Sequence, residues 1–122
     1  MADELTIRAT LNYSDSEGSD DGISEDEILV DVATKRYIHL KQNIGTSEEA
    51  LILGDLSSLG YAIFVNRDTT NFVEIRTGTG GTKIVKLKAG EKACFRFGSG
   101  VTAPYAIADT AAVQLEYLIV ND

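Results

Sequence analysis

The sequence predicts an all-β fold, an antiparallel β-sandwich of jelly-roll type. Short apolar runs recur about 8–12 residues apart between turn residues, as they do in sandwiches and barrels. Several runs alternate apolar with polar residues, which is typical of strands with one buried face. No apolar stripe at helical spacing interrupts this pattern. The length of 122 residues fits one domain over 1–122 that can bury a hydrophobic core without disulfides.

Ten segments are predicted as strands. The first, 5–13, alternates strictly between apolar and polar residues. The segment 61–67 is apolar enough to be buried on both faces. The last, 111–120, places Val113, Leu115, Tyr117 and Ile119 at alternate positions, which predicts core and subunit contacts there. The remaining predicted strands are 28–33, 36–44, 49–53, 71–77, 82–88, 91–98 and 104–109.

An acidic stretch lies between the first two predicted strands, in LNYSDSEGSDDGISEDEILVDVATK. It holds eight acidic residues from Asp15 to Asp31, and the next base is Lys35. Ser, Gly, Asp and Glu dominate residues 14–27, so little burial is available to offset the entropy of ordering, and we predict a mobile acidic loop there. The alternative is a Ca²⁺ site. Its ligands would be Asp15, Glu17, Asp20 and Asp21, although their spacing does not match an EF-hand.

The charge distribution argues against several classes of partner. Residues 1–31 carry ten acids and one base, which leaves nine acids and ten bases, a net of +1, in residues 32–122. A nucleic-acid binder needs a basic face, which this composition does not offer. There is no run of 18 apolar residues, and the start MADELTIRAT lacks the layout of a signal peptide. We therefore expect no nucleic-acid or membrane partner.

No set of residues indicates catalysis. His39 is the only histidine and lies in an alternating strand, and Cys94 is predicted to be a small buried side chain. The segment GTGGTK (78–83) has the glycines and lysine of a phosphate loop, but it joins two strands where such a loop would open a helix. We interpret it as a hairpin turn. The prediction is a protein that is not an enzyme and has no cofactor, catalytic residue or bound metal.

Four basic residues flank the short turn at Ala89 and Gly90. If 82–88 and 91–98 pair as a hairpin across that turn, their bases form one stripe on the face opposite the apolar side chains. The stripe would consist of Lys86, Lys88, Lys92 and Arg96. It is either a solvated outer face or a contact with an acidic partner surface or a neighbouring copy.

Residues 42–120 resemble a recurring type of virion protein of tailed bacteriophages. The resemblance is carried by QNIGTSEEALILGDLSSLGYAIFVNRDTTNFVEI, by KLKAGEKACFRFGSG and by APYAIADTAAVQLEYLIV. It covers about two thirds of the chain and omits the acidic stretch. It implies a β-sandwich and a non-catalytic, structural part in the particle.

The resemblance leads to two functional hypotheses. The first is a capsid decoration or cement protein, made in the host cytoplasm and bound to the major capsid protein or other virion proteins. A homotrimer would match the local threefold junctions of an icosahedral shell. The alternative is a binding module of a tail, neck or fibre that recognises a host surface sugar. The absence of tryptophan weakens the sugar hypothesis, because sugar sites usually expose aromatic rings.

Overall fold

The computed structural model describes residues 5–32 and 36–122, and all of the regular structure in these ranges is β-strand. Every strand pair in them is antiparallel, so the all-β, antiparallel prediction is confirmed. No helix in these ranges could span a membrane. The chain divides into two compact units, Met1–Ala33 and Thr34–Asp122, which are described separately. The single domain over 1–122 stays a prediction.

The first unit is a two-stranded antiparallel sheet, which we call the ribbon. It consists of β1 (Leu5–Ser14) and β2 (Asp20–Val30). Its register runs from Leu5 opposite Val30 to Ser14 opposite Asp20, with one shift between Ile7 and Ala9. An extra residue in one strand is a β-bulge, which increases the local twist.

A tight turn joins the two strands of the ribbon. The Asp15 carboxylate accepts hydrogen bonds from the backbone N–H groups of Glu17 and Ser19, at 2.9 and 3.0 Å, and from the Tyr13 hydroxyl at 3.0 Å. These bonds, that from Ser19 first, lower the pKa of Asp15. Gly18 adopts a φ of 92°, a value that favours glycine.

The irregular part of the acidic stretch is shorter than the predicted loop at 14–27. Only residues 15–19 lie between the strands, and Asp20–Glu27 belong to β2. The backbone ladder to β1 uses N–H and C=O groups that these polar residues carry like any others. Cross-strand pairs also compensate for the polar composition, because Arg8 Nη2 lies 2.6 Å from Glu27 Oε2. Of the predicted strand 28–33, β2 covers 28–30, and Ala33 lies outside the described residues.

The second unit contains two four-stranded sheets. The β10 sheet has the order β3-β10-β5-β8, with β3 (Tyr37–Ile44), β5 (Leu59–Asn66), β8 (Lys92–Arg96) and β10 (Val113–Asn121). The β6 sheet has the order β4-β9-β6-β7, with β4 (Glu49–Ala50), β6 (Val73–Arg76), β7 (Lys83–Leu87) and β9 (Tyr105–Ala108).

One hydrophobic core is shared by both sheets of the second unit. Phe64, Leu115 and Tyr117 of the β10 sheet and Val73 and Ile75 of the β6 sheet are almost completely buried in the same cluster. Aromatic rings occupy one side of it, with centroid distances of 5.1–6.0 Å among four rings. Those rings are Phe64, Phe95, Phe97 and Tyr117. The inward positions predicted for 111–120 are confirmed.

Buried amide side chains hold the segments that connect the strands. Gln42 donates from Nε2 to the Ala50 carbonyl at 3.0 Å and accepts at Oε1 from the Ile52 N–H and the Tyr117 hydroxyl, at 3.0 and 2.7 Å. Unpaired polar groups in a core cost free energy, so each such bond restricts the path of its loop.

Two further buried amide side chains, Asn66 and Asn121, also hold connecting segments through hydrogen bonds. Asn66 donates to the carbonyls of Asn71 and Leu87, at 2.9 and 3.0 Å. Asn121 Oδ1 accepts from the N–H groups of Ser57 and Ser58, at 2.9 and 3.2 Å. Three loops of the second unit are therefore anchored by side chains of the β10 sheet.

Replacing Leu115 with aspartate tests the shared core. Leu115 is completely buried, so Leu115→Asp should lower the free energy of unfolding by roughly 2–5 kcal/mol. The neighbouring Gln114 is exposed, and Gln114→Asp should change stability by no more than about 0.5 kcal/mol. Urea unfolding of both variants measures the difference, and equal midpoints would contradict the assignment of the core.

Tyr117→Phe tests the link between Tyr117 and Gln42. The hydroxyl donates to Gln42 Oε1 and to the Ile52 carbonyl, so its removal should cost about 1–2 kcal/mol near neutral pH. Burial raises the pKa of Tyr117 to about 12. Between pH 10 and 12 the unfolded chain therefore loses this proton first, and the stability of the natural protein falls as the pH rises.

The variant lacks that ionisation, so the stability gap between the two proteins should narrow above pH 10 and close by about pH 12. Urea unfolding at a series of pH values measures it. A gap that stays constant to that pH would show that Tyr117 ionises normally in the folded protein.

Candidate interaction surfaces

The predicted hairpin of 82–88 and 91–98 is wrong. Strand β7 pairs with β6 and strand β8 pairs with β5, so the two strands lie in different sheets. Both contribute apolar side chains to the core, Leu87 from the first and Phe95 and Phe97 at the second. Two strands joined by a short turn usually pair with each other as a hairpin. Here the turn at Ala89 and Gly90 leads the chain from one sheet to the other.

The crossing turn is held by the end of β5. The Gly90 N–H donates to the Asn66 carbonyl at 3.0 Å, and the Asn66 N–H donates to the Glu91 carbonyl at 2.9 Å. Gly90 has a φ of 80°, and the Glu91 carboxylate accepts from the Lys88 N–H at 2.8 Å. These bonds occupy the backbone groups that would otherwise continue a hairpin ladder.

The four basic residues therefore form two separate groups. Lys86 and Lys88 belong to the β6 sheet side, where the Lys86 ammonium lies 4.2 Å from the centre of the Phe72 ring. Lys92 and Arg96 lie on β8 in the β10 sheet. Arg96 is already paired, because its Nη1 lies 2.7 Å from Asp122 Oδ1 and its guanidinium stacks on Tyr61 at 4.6 Å. Their role as partner contacts stays a prediction.

The GTGG segment is a hairpin turn between β6 and β7, as predicted. An internal carboxylate fills the position that an anion would take. Glu48 accepts from the Thr79 hydroxyl at 2.6 Å and from the Gly80 N–H at 3.0 Å, and it pairs with Arg76 at 2.9 Å. These contacts, that from Thr79 first, lower the pKa of Glu48. The turn is closed by the chain's own negative charge.

His39 joins an ionic cluster on the outer face of the β10 sheet. Its Nε2 lies 2.7 Å from Glu116 Oε2, and Arg67 Nε lies 2.8 Å from Glu116 Oε1. The hydrogen bonds with His39 and then Arg67 lower the pKa of Glu116. Each of the three residues is on a different segment, so the cluster ties β3, β10 and the end of β5 together.

Cys94 is exposed, and the prediction of a buried side chain is wrong. Strand β8 turns Ala93 and Phe95 towards the core, so alternation places Cys94 on the opposite face. Partial burial raises the pKa of its thiol.

The outer face of the β10 sheet is apolar at its centre. Its register aligns His39, Leu118, Ile63 and Cys94 in one row across all four strands. One neighbouring row adds Tyr37, Val120 and Tyr61. Tyr37 and Ile63 are 66% and 39% exposed. We call Tyr37, Tyr61, Ile63, Cys94, Leu118 and Val120 the outer patch. Its charged rim consists of Lys41, Arg67, Lys92, Arg96, Glu116 and Asp122, a net charge of +2 from four bases and two acids.

The ribbon also has an apolar face. Opposed pairs place Ile7 beside Ile28 and Leu11 beside Ile23 on one side, while Thr10 beside Ser24 lies on the other. Leu11, Ile23 and Tyr13 are 78%, 69% and 59% exposed. We call Ile7, Leu11, Tyr13, Ile23, Ile28 and Val30 the ribbon face. The same side also carries Glu25, opposite Ala9, and Asp21, opposite Tyr13. Alternation in the sequence predicted the residues of this face that lie in β1. It did not predict those in β2, because the acidic composition of residues 14–27 indicated a loop.

The proposed Ca²⁺ ligands are not assembled. Asp15 already accepts hydrogen bonds from its own turn. Over the part of the chain that the structure describes, no group of three His, Cys, Asp or Glu side chains is arranged to hold a metal ion.

A polar cleft of about 300 Å³ lies at one end of the second unit. Among its lining residues are Ser57, Ser58, Thr102 and the ion pair of Arg96 and Asp122. Its only aromatic lining residue is Phe97, which is buried. The cleft offers hydroxyl groups and charges without an exposed aromatic platform.

Comparison with known proteins gives no relative for this chain: no protein-family model, no curated protein and no solved structure matches it.

Proposed function

We propose that this chain is a non-enzymatic structural protein of a tailed-bacteriophage virion, a decoration or cement protein that binds the head shell as a homotrimer. The resemblance of residues 42–120 to such proteins carries the proposal. Its partners would be the major capsid protein or other virion proteins, and it would be made in the host cytoplasm. Many weak contacts, repeated over a symmetric shell, would give such a protein its effect.

The order of the strands supports the fold that the resemblance implies. With the strands numbered along the chain, the spatial order is β3-β10-β5-β8 in one sheet and β4-β9-β6-β7 in the other. We infer a jelly-roll sandwich, in which eight strands form two four-stranded sheets as two Greek keys. Viral capsid domains use this fold and so do lectins, so the fold alone favours neither hypothesis.

The residues of the resembling segments support a structural role. Gln42, Asn66 and Asp68 are engaged in hydrogen bonds within the second unit, and Glu48 closes the GTGG turn. Asp68 accepts from the N–H groups of Thr70 and Asn71, and these bonds lower its pKa. The shared string therefore specifies loops and turns of the fold, which is what a family defined by its architecture requires.

The surface near Lys86 and Lys88 is our proposed contact with the shell. Both lysines are exposed, and they lie at the β7 edge of the β6 sheet. An edge strand presents unpaired backbone groups, and lysines on it discourage pairing with the strands of other proteins. The same positive charges allow an acidic surface of a partner to dock there.

The alternative is a tail, neck or fibre module that binds a host sugar. The polar cleft beside Arg96 favours it, since hydroxyl and charged groups recognise sugars. The cleft has no exposed aromatic ring among its lining residues, which counts against sugar binding there.

Binding to purified particles tests the choice. We expect the protein to bind phage heads stripped of their decoration proteins and to ignore isolated tails, as measured by co-sedimentation and by copy number per particle. Hundreds of copies per head would support decoration. Binding to tails alone would replace the head hypothesis with the tail hypothesis.

Charge reversal at the proposed contact should separate docking from folding. Lys86→Glu with Lys88→Glu should weaken head binding about tenfold or more and cost about 1 kcal/mol of stability, through the lost contact with Phe72. The matched control, Lys86→Arg with Lys88→Arg, keeps both positive charges and should leave head binding nearly unchanged. Head binding that survives the double charge reversal would contradict this contact.

A further inference from the structure

The apolar face of the ribbon has large side chains that its two strands alone do not bury. A two-stranded sheet alone is at best marginally stable in water, because it buries too little apolar surface. The ribbon face nevertheless carries large side chains on both strands, with Leu11 and Ile23 directly opposite each other and both mostly exposed. Such a cluster of exposed apolar side chains is typical of a binding surface, and Asp21 and Glu25 on the same side offer it charged contacts.

The charge of the ribbon restricts what can cover it. Residues 5–32 contain eight acids and one base, a net charge of −7. Two ribbons packed face to face would bring together −14. The favoured cover is therefore an apolar surface with a basic rim.

The outer patch has these properties. Its six apolar side chains lie on the solvent-facing side of the β10 sheet, and its rim carries a net charge of +2. Its side chains form two rows across four strands, which gives roughly 14 Å across the strands and roughly 7 Å between the row centres. The distal half of a ribbon, with Leu11, Tyr13 and Ile23, has the length to cover it.

We propose that the ribbon face of one copy packs on the outer patch of a second copy. Two sheets that pack through apolar faces lie about 10 Å apart, so Leu11 and Ile23 would meet Ile63 and Leu118. The acidic residues of the ribbon would then face Lys41, Lys92 and Arg67. The contact joins two different surfaces, so its repetition forms a ring where the rotation between copies closes. The inference rests on the homo-oligomer of the proposed function.

Sedimentation of variants tests the exchange. The natural protein should form a closed oligomer at micromolar concentration. Leu11→Ser with Ile23→Ser, and separately Ile63→Ser, should each weaken association about tenfold or more. Asn12→Ser, on the other face of the ribbon, is the matched control and should leave association unchanged.

Mixing the two defective variants is the sharper test. The Ile63→Ser copy keeps its ribbon face and the Leu11→Ser, Ile23→Ser copy keeps its outer patch, so one intact contact should form and a mixed dimer should appear. A mixture that stays monomeric would overturn the proposal. A natural protein that is monomeric at 100 micromolar, about a thousandfold above the Kd of a tight contact, would overturn it as well.

Cys94 allows a direct test of the contact. A copy with Leu11→Cys and Cys94→Ser, mixed under mild oxidation with the natural protein, should give a disulfide-linked dimer through Cys94 of the other copy. A chain with Leu11→Cys that retains Cys94 and cross-links only within itself would overturn the exchange. If the Leu11→Ser, Ile23→Ser variant still forms trimers and binds heads, the exchange alone is contradicted. A protein that exchanges ribbons but ignores heads contradicts the head-binding role alone.

Discussion

Residues 36–122 depend on the closure of one core between two sheets. Tyr117 is the residue at which this constraint is clearest, because its ring contacts Phe64 while its hydroxyl bonds to Gln42 and to the Ile52 carbonyl. The ring contributes apolar burial, and the hydroxyl fixes the segment that follows β4. A hydrophobic core alone would tolerate several loop paths, and the buried polar contacts select one of them.

Much of the fold could be predicted from the sequence, because strands leave a local signature. The alternation of Val113, Leu115, Tyr117 and Ile119 predicted which side of β10 is buried, and the structure agrees. Pairing between strands is not local. The turn at Ala89 and Gly90 looks like a hairpin turn, and only the backbone bonds from Asn66 and the inward Leu87 and Phe95 send β8 to the other sheet.

The candidate surfaces were harder to predict for the same reason. The outer patch is assembled from four strands that are distant in sequence, and Ile63 and Cys94 meet only through the β5–β8 register. Composition was misleading in β2, where aspartates and glutamates concealed Ile23 and Ile28. A β-bulge opposite Arg8 restores their common face, and sequence alternation cannot reveal it because the bulge changes the phase of one strand.

The acidic residues of the ribbon also bear on its tendency to aggregate. In a two-stranded ribbon each strand is an edge, so both long margins expose backbone groups to which other chains could pair. The repulsion among the eight carboxylates of residues 5–32, five of them in β2, makes such pairing unfavourable at neutral pH. This charge therefore opposes fibrous aggregation through the edges of the ribbon. In acid, near the ordinary carboxyl pKa of about 4, these groups become protonated and the repulsion is lost. Pairing between ribbon edges, and with it aggregation, is then favoured.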